Sequence, residues 1–508
     1  MQMKNSVIGV DMGTTSIKTV AFSSTGAEIS RTSAHLHTFH GPEGAVEQDP
    51  LAVYETVSRC LMETVTHVVS EGYRISQVGF SAAMHSLLCV DQNNQPLTNA
   101  MIWMDTRAHK EASDFVQSRP GKAAYVRTGT PIHPMTPLAK LMWMQNHQSH
   151  LLKETYKFVS LKEWVWHEWF KEWQIDESMA GATGLYNLET RSWDIELLEM
   201  LGLRTDQLSD IVPTTHIRNH VQNEQLLSAG LEEDTLFNIG ASDGVLANLG
   251  SGATETGTMA LTMGTSLAVR LGSQEIYTDE QTQPFCYVLD PFHYVIGGPS
   301  NSGGVVLNWL HSQIDREDWL DDTERDRNLQ AWIDTAAAVD IQDLYCIPYL
   351  AGERAPLWDA EAKAAFVGLQ LQHSKAHLMR AAIEGILLNA YWIAQPLIKR
   401  FGSPERLIVS GKLLEKSWVR QFTSDLFGTQ VEYHGSMDAS VLGAIRLCKL
   451  AAQLTTEPHK AIAWESLDNS QADFAVSTPD VNRHQQYQEK LKSFQRLVHT
   501  INDAQFAD

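Results

Sequence analysis

The chain has 508 residues, of which 43% are apolar and 20% charged, and its formal net charge is -22. That length allows two or more domains with sizeable cores, and the composition is that of a globular protein. So acidic a chain excludes a nonspecific nucleic-acid or anionic-membrane binder, which needs a basic face. The five scattered cysteines contain no CxxC and so exclude a cysteine metal framework or a disulfide scaffold.

The opening, "MQMKNSVIGV", carries no apolar h-region, and no run of about 18 uncharged apolar residues follows. A cytoplasmic protein with no membrane partner is the expectation. Val7, Ile8 and Val10 form a short apolar strand, and Gly13, Thr14, Thr15 and Ser16 make a turn rich in N–H and hydroxyl donors. "KTVAFS" and "EISRTSAHL" continue as an antiparallel meander with a turn near Gly26. Asp49 and Pro50 suit the N-cap and first position of a helix. Tyr54, Val57, Leu61, Val65 and Val68 carry its apolar face, and Gly72 ends it. "ISQVGFSAAMHSLLCVD" reads as two strands around a bend at Ala83–Met84, and "AMIWMDTR" as a short strand ending in polar residues. Helices are expected at 108–118, 137–147 and 160–171.

In the second half, "TLFNIGASDG" is a strand entering a loop, and "TETGTMALTMGTSLAVRLG" a hairpin. Helices are expected near 303–313, 374–400, 416–427, 438–452 and 481–503, with strands at "RLIVSGK" and "TQVEYHG". "DMGTTSIKTVAF" near the start is echoed by "TMGTSLAVRL" at 262–271. The echo reads either as two ordinary hairpins or as a duplicated domain with one phosphate hairpin in each half.

Asp11 sits two residues before Gly13, where its charge would repel a phosphate unless a divalent cation lay between them. Mg²⁺ takes one or two carboxylates, phosphate oxygens and waters. The alternative for Asp11 is a turn-capping role. Asp243, in the small-residue stretch "NIGASDGVLANLGSG", reads either as a base for an attacking hydroxyl or as the N-cap of a helix beginning near Val245. The absence of GxxxxGK[ST] excludes a P-loop.

Ten stretches appear in one order from about residue 6 to 452: "GVDMGTTSIK", "GAVEQDP", "SAAMHSLLCVD", "IWMDTRA", "NIGASDGVLANLG", "TMGTS", "LAGERAPLWDAEAKAAFVGL", "MRAAIEGILLNAY", "RQFTSDLFGTQVE" and "ASVLGAIRL". In these the chain resembles the FGGY carbohydrate kinases. The resemblance implies an α/β fold of two actin-like (ribonuclease-H-like) domains with a cleft between them. The expected boundaries are 1–245 for sugar binding, 246–455 for ATP binding, and 456–508 for an extension whose helix packs back on the protein. It implies that Asp243 is the catalytic base and that Asp11, with Asp243, faces Mg²⁺. Gly13, Thr14, Thr15 and Lys18 would meet the terminal phosphates of ATP. Gly264 and Thr265 form the second phosphate turn, Gly304 and Asn308 the ribose and phosphate side, and Gly411, Lys412 and Lys416 the adenine side. The family usually has a second glycine where Lys412 stands, so this lysine would crowd the adenine or lay its stem on it. Homodimers fit the family, though no interface is readable.

Met84, His85, Trp103, Asp105, Arg107, Met135 and Gly244 fall at or beside the family's substrate positions. They offer hydrogen-bonding groups and an apolar wall for a polyol, and His85 and Arg107 could meet a carboxylate. A structural reading stands beside this: a salt-bridged Arg107, with Met84 and Met135 in the core. "SAAMHSLLCVD" and "TGTPIHPMTPLAKLMW", with His133–Pro134 and Thr136–Pro137, resemble the gluconate-kinase branch. D-gluconate is therefore the expected acceptor. The alternatives are a pentulose such as xylulose or ribulose and, in another class, a noncatalytic actin-like sugar sensor.

Overall fold

The computed structural model describes residues 4–254, 257–315, 321–435, 438–456 and 474–503. The first sheet is built outward from Lys4–Met12, whose inner residues are buried almost without a break. Such a run is what a strand covered on both faces requires. It pairs antiparallel with Ser16–Ser23, which pairs with Glu28–His35 through the turn at Gly26 (φ 86°). On its other side it runs parallel to Tyr73–Ala82, which is parallel to Leu236–Ser242. The helix Pro50–Ser70 makes the crossover between meander and parallel strands. Asp49 caps it by accepting from the Leu51 amide, and Val53, Val57, Leu61, Val65 and Val68 face the core.

The second sheet repeats this plan. Thr258–Met263 pairs antiparallel with Leu267–Ser273 and parallel with Arg406–Ser410, which is parallel to Gln430–Tyr433. His293–Ser300 lies beyond Leu267–Ser273, as Glu28–His35 lies beyond Ser16–Ser23. The echoed Met-Gly-Thr turns therefore occupy one position in two like-built sheets: Met12 pairs with Ile17, and Met263 with Leu267. This is the duplicated reading of the echo.

The described chain packs as two discontinuous units. The first holds 4–254, 273–295 and 438–456; the second holds 257–272, 296–315, 321–435 and 474–503. The expected boundary at 245/246 falls inside the helix Asp243–Ser251, which packs entirely in the first unit. The reason is the helix Ala439–Thr456. It contacts Lys4–Met12, Tyr73–Ala82 and Asp243–Ser251, and glycines allow its backbone that close. A Cβ at Gly9 would stand 2.7 Å from a Val441 methyl, and one at Gly79 2.7 Å from the Ala444 carbonyl oxygen. Gly443 and Gly250 meet where the two helices cross, with a Cβ on Gly443 only 2.0 Å from the Leu246 carbonyl oxygen.

In the second unit, Lys375–Phe401 is long and apolar enough to cross a membrane by composition, but it is largely buried inside the protein. Val481–Asp503 packs against it and against Ser417–Phe427, burying Leu491, Phe494 and Val498. Some local expectations differ. Arg119–Thr128 is a helix the periodicity did not mark, and the strand in "AMIWMDTR" is only Ala100–Met101.

Candidate functional site

Two carboxylates stand at the carboxyl edge of the first sheet. Met12, Ala82 and Ser242 share one row across three parallel strands. Asp11 is one residue before that row and Asp243 one after. They are two strand spacings apart, roughly 10 Å between strand axes, at the edge where open α/β sheets bind ligands. Asp243 is the first residue of its helix, and Ser242 holds the N-cap position, so the helix starts two residues earlier than expected. One Asp243 oxygen accepts from the Gly244 amide at 2.7 Å, and the side chain is half-buried. Asp11 accepts from the Ser81 hydroxyl at 2.8 Å. Burial raises its carboxyl pKa, while hydrogen bonds from Ser81 and Ser440 and the Lys18 charge pull it back. Lys18 itself is paired with Asp438 at 2.8 Å.

The turn after Asp11 is strapped on several sides. Gln48 donates to the Thr14 carbonyl at 2.7 Å, Trp103 Nε1 to the Thr14 hydroxyl at 2.9 Å, and the Leu36 amide to the Thr15 carbonyl at 2.9 Å. Beside it opens a pocket with about 360 Å³ of empty space, whose wall includes Gly13, Thr14, Met84, Ser86, Trp103 and Lys162. Met84 and Trp103 both line it. His85 lies behind the wall with φ 70°, its Nδ1 2.8 Å from the Ala182 carbonyl oxygen. Asp105 and Arg107 form a supporting pair: Arg107 also reaches Glu47 and covers the Trp143 ring, while Asp105 accepts from the Val46 amide. Met135 is buried, its amide donating to His133 Nδ1 at 3.2 Å. Arg107 is thus ion-paired and Met135 buried.

The remaining expected residues belong to the second unit. The Gly264–Ser266 turn is laced to the helix Gly304–Ile314: the Gly304 amide donates to the Gly264 carbonyl at 2.9 Å and the Val305 amide to Thr265 at 3.1 Å. Gly264, Thr265 and Asn308 are exposed. Buried Glu353, from "GERAPLW", fixes the segment before that helix. It accepts from the Ser300 and Ser302 hydroxyls and the Asn301 amide, each at 2.8 Å. Gly411 has φ 114°, and a Cβ there would lie 1.8 Å from the Met263 carbonyl oxygen, so only glycine fits.

Lys412, expected on the adenine side, is ion-paired. Its ammonium pairs with Asp326 in the helix Asp322–Ala336, and its side chain is 55% exposed. Lys416 pairs likewise with Asp334 at 2.7 Å. An exposed pair of this kind contributes about 0–1 kcal/mol. Lys412→Gly is therefore expected to leave the ATP KM within about threefold of the native value. A steady-state ATP titration checks this, and a tenfold rise would make the lysine a nucleotide contact.

Residues 6–250 match the N-terminal domain of the FGGY family of carbohydrate kinases, and residues 259–452 match its C-terminal domain. The chain belongs to the FGGY family of carbohydrate kinases. It is 37% identical over 463 residues to a gluconokinase of Bacillus subtilis (strain 168), covering 87% of this chain and 86% of that one. A crystal structure of gluconate kinase from Lactobacillus acidophilus superposes with a TM-score of 0.90 at 30% identity, covering 99% of both chains. A ligand-bound xylulose kinase from the same organism also superposes with a TM-score of 0.90 at 30% identity, covering 98% of this chain and 99% of that one.

The structure adds to this FGGY kinase a pair that motif reading missed. Lys162, in the pocket wall, is joined at 2.6 Å to fully buried Asp176. The available signal was a lysine in the tryptophan-rich run "LKEWVWHEWF".

Proposed function

We propose that this carbohydrate kinase transfers the terminal phosphoryl group of ATP to D-gluconate, giving 6-phosphogluconate. The observation that carries the reading is the 37% identity to a gluconokinase over most of both chains. A pocket lined by Met84, Trp103 and Lys162 beside the Gly13–Thr15 turn supports it. Asp243 takes the proton of the attacking hydroxyl. The new oxygen–phosphorus bond forms as the bond to the bridging oxygen of ADP breaks. The amides and hydroxyls of the Gly13–Thr15 turn receive the charge on the transferring group.

The oxygen set offered by Asp11, Asp243, Thr14 and Thr15 suits Mg²⁺, and a carboxylate whose pKa is raised by burial gains from a cation beside it. Mg²⁺ supplies neutralisation of the terminal phosphates. A carboxyl that binds its proton more tightly folded than unfolded contributes stability below its raised pKa and loses it as pH rises through that value. Asp11→Asn is therefore expected to melt no lower than the native protein near neutral pH without Mg²⁺. Its Mg²⁺-dependent turnover should fall by about tenfold or more. Thermal melts and an Mg²⁺ titration of activity check both halves.

Pentuloses remain the second reading, because the xylulose kinase structure superposes as well as the gluconate kinase structure does. The test is ADP release with Mg-ATP against D-gluconate, D-xylulose, D- and L-ribulose, L-rhamnulose and glycerol. D-gluconate alone should stimulate strongly. Stimulation by a pentulose instead would discard the gluconate assignment and keep the kinase.

A further inference from the structure

Lys140 lies in the helix Pro137–His147 and is 1% exposed. Its ammonium donates to three backbone carbonyls: His85 at 2.5 Å, Ile102 at 2.8 Å and Met101 at 3.3 Å. An ammonium has three N–H groups, so each finds an acceptor. Those carbonyls belong to two separate segments. One is the turn after Tyr73–Ala82, with Met84 in the pocket wall and His85 in the left-handed region. The other directly precedes Trp103, which lines the same pocket and donates to Thr14. Asp105, the carboxylate that acts on this ammonium, is itself held by Arg107 and the Val46 amide. A buried charge is a costly way to fill space, and an apolar side chain of similar length would pack more cheaply. What the ammonium adds is a three-point tie between chain segments 38 and 55 residues away in sequence.

We propose that Lys140 is a positioning residue for the phosphoryl acceptor, tying together the two segments that carry Met84 and Trp103. The proposal rests on the reading of that pocket as the acceptor site. Burial pushes the Lys140 pKa down to about 7, with Asp105 raising it and Arg107 lowering it. The other titratable groups on the packed elements are His85, whose ring faces the Ala182 carbonyl, Glu47 on Arg107, and Glu111 with His147 toward the far end of the helix. A neutral amine keeps two N–H groups and turns a lone pair toward the third carbonyl, so the tie weakens as pH rises.

The experiment compares full-length native protein with Lys140→Met, using Mg-ATP and whichever acceptor of the panel is turned over. Lys140→Met should raise the acceptor KM about tenfold or more and leave the ATP KM within about twofold. Amide exchange should quicken at 83–87 and 100–104 and stay unchanged in the helix Pro50–Ser70. A folded variant with both the acceptor KM and this exchange unchanged overturns the proposal. If the variant does not fold, the native protein decides between about pH 6 and about pH 9. A rising acceptor KM against a flat ATP KM supports the tie, and a flat acceptor KM overturns it. Preference for another acceptor would sink the gluconate reading without touching this one. If no acceptor is turned over, the exchange measurement alone decides.

Discussion

Asp243→Asn is expected to lower turnover by about 10²-fold or more, with folding and ATP binding kept. The substitution preserves shape and removes the group that accepts the hydroxyl proton. The carboxylate sits in the first turn of its helix, where one oxygen accepts from the Gly244 amide. An asparagine oxygen can accept that same hydrogen bond, so the helix start should survive. The measurement is kcat beside a thermal melt and an ATP-binding isotherm. Near-normal turnover in a folded variant would remove Asp243 from the role of base.

Gly443→Ala is expected to damage both the stability of the first unit and its chemistry. The new Cβ would sit 2.0 Å from the Leu246 carbonyl oxygen, a contact that only movement of one helix backbone can relieve. Overpacking of this kind costs about 1–3 kcal/mol, occasionally more. The displaced partner is the helix that begins at Asp243, so the carboxylate moves with it. A shift of about 1 Å at a catalytic group can cost 10²-fold in rate. The melting temperature and kcat should therefore fall together. Gly181→Ala is the control: a Cβ there meets nothing within 4 Å, and both quantities should hold. A normal melt and normal kcat for Gly443→Ala would show that the helices part without cost.

The local chemistry of the site was legible where it follows from short-range rules. Asp11 and Asp243 each stand at the carboxyl end of a strand beside small residues, and the Met-Gly-Thr turns announced themselves twice. Asp49, Pro50 and Gly72 marked the two ends of a helix by capping chemistry. What escaped depends on distant partners. Lys140 in "PLAKLMWMQNH" and Lys162 in "LKEWVWHEWF" look in sequence like cations whose stems snorkel from an apolar face; only the fold brings carbonyls or Asp176 to them. The Lys412 ion pair escaped because its partner, Asp326, is 86 residues away. The discontinuous division escaped for the same reason: it hangs on Gly9 and Gly79 meeting residues beyond 440.

That division sets an order of events on the ribosome. One face of the first sheet is completed by Ala439–Thr456, a helix made long after the first strands. At roughly 5–20 residues per second, strands already emerged wait on the order of tens of seconds for it. Throughout that interval Gly9 and Gly79 present a bare apolar surface, and the helix bearing Asp243 lacks the neighbour it crosses. The first unit thus begins early in translation yet is finished only once Ala439–Thr456 exists, so a nascent fragment ending at Thr254 is an aggregation hazard rather than a working module.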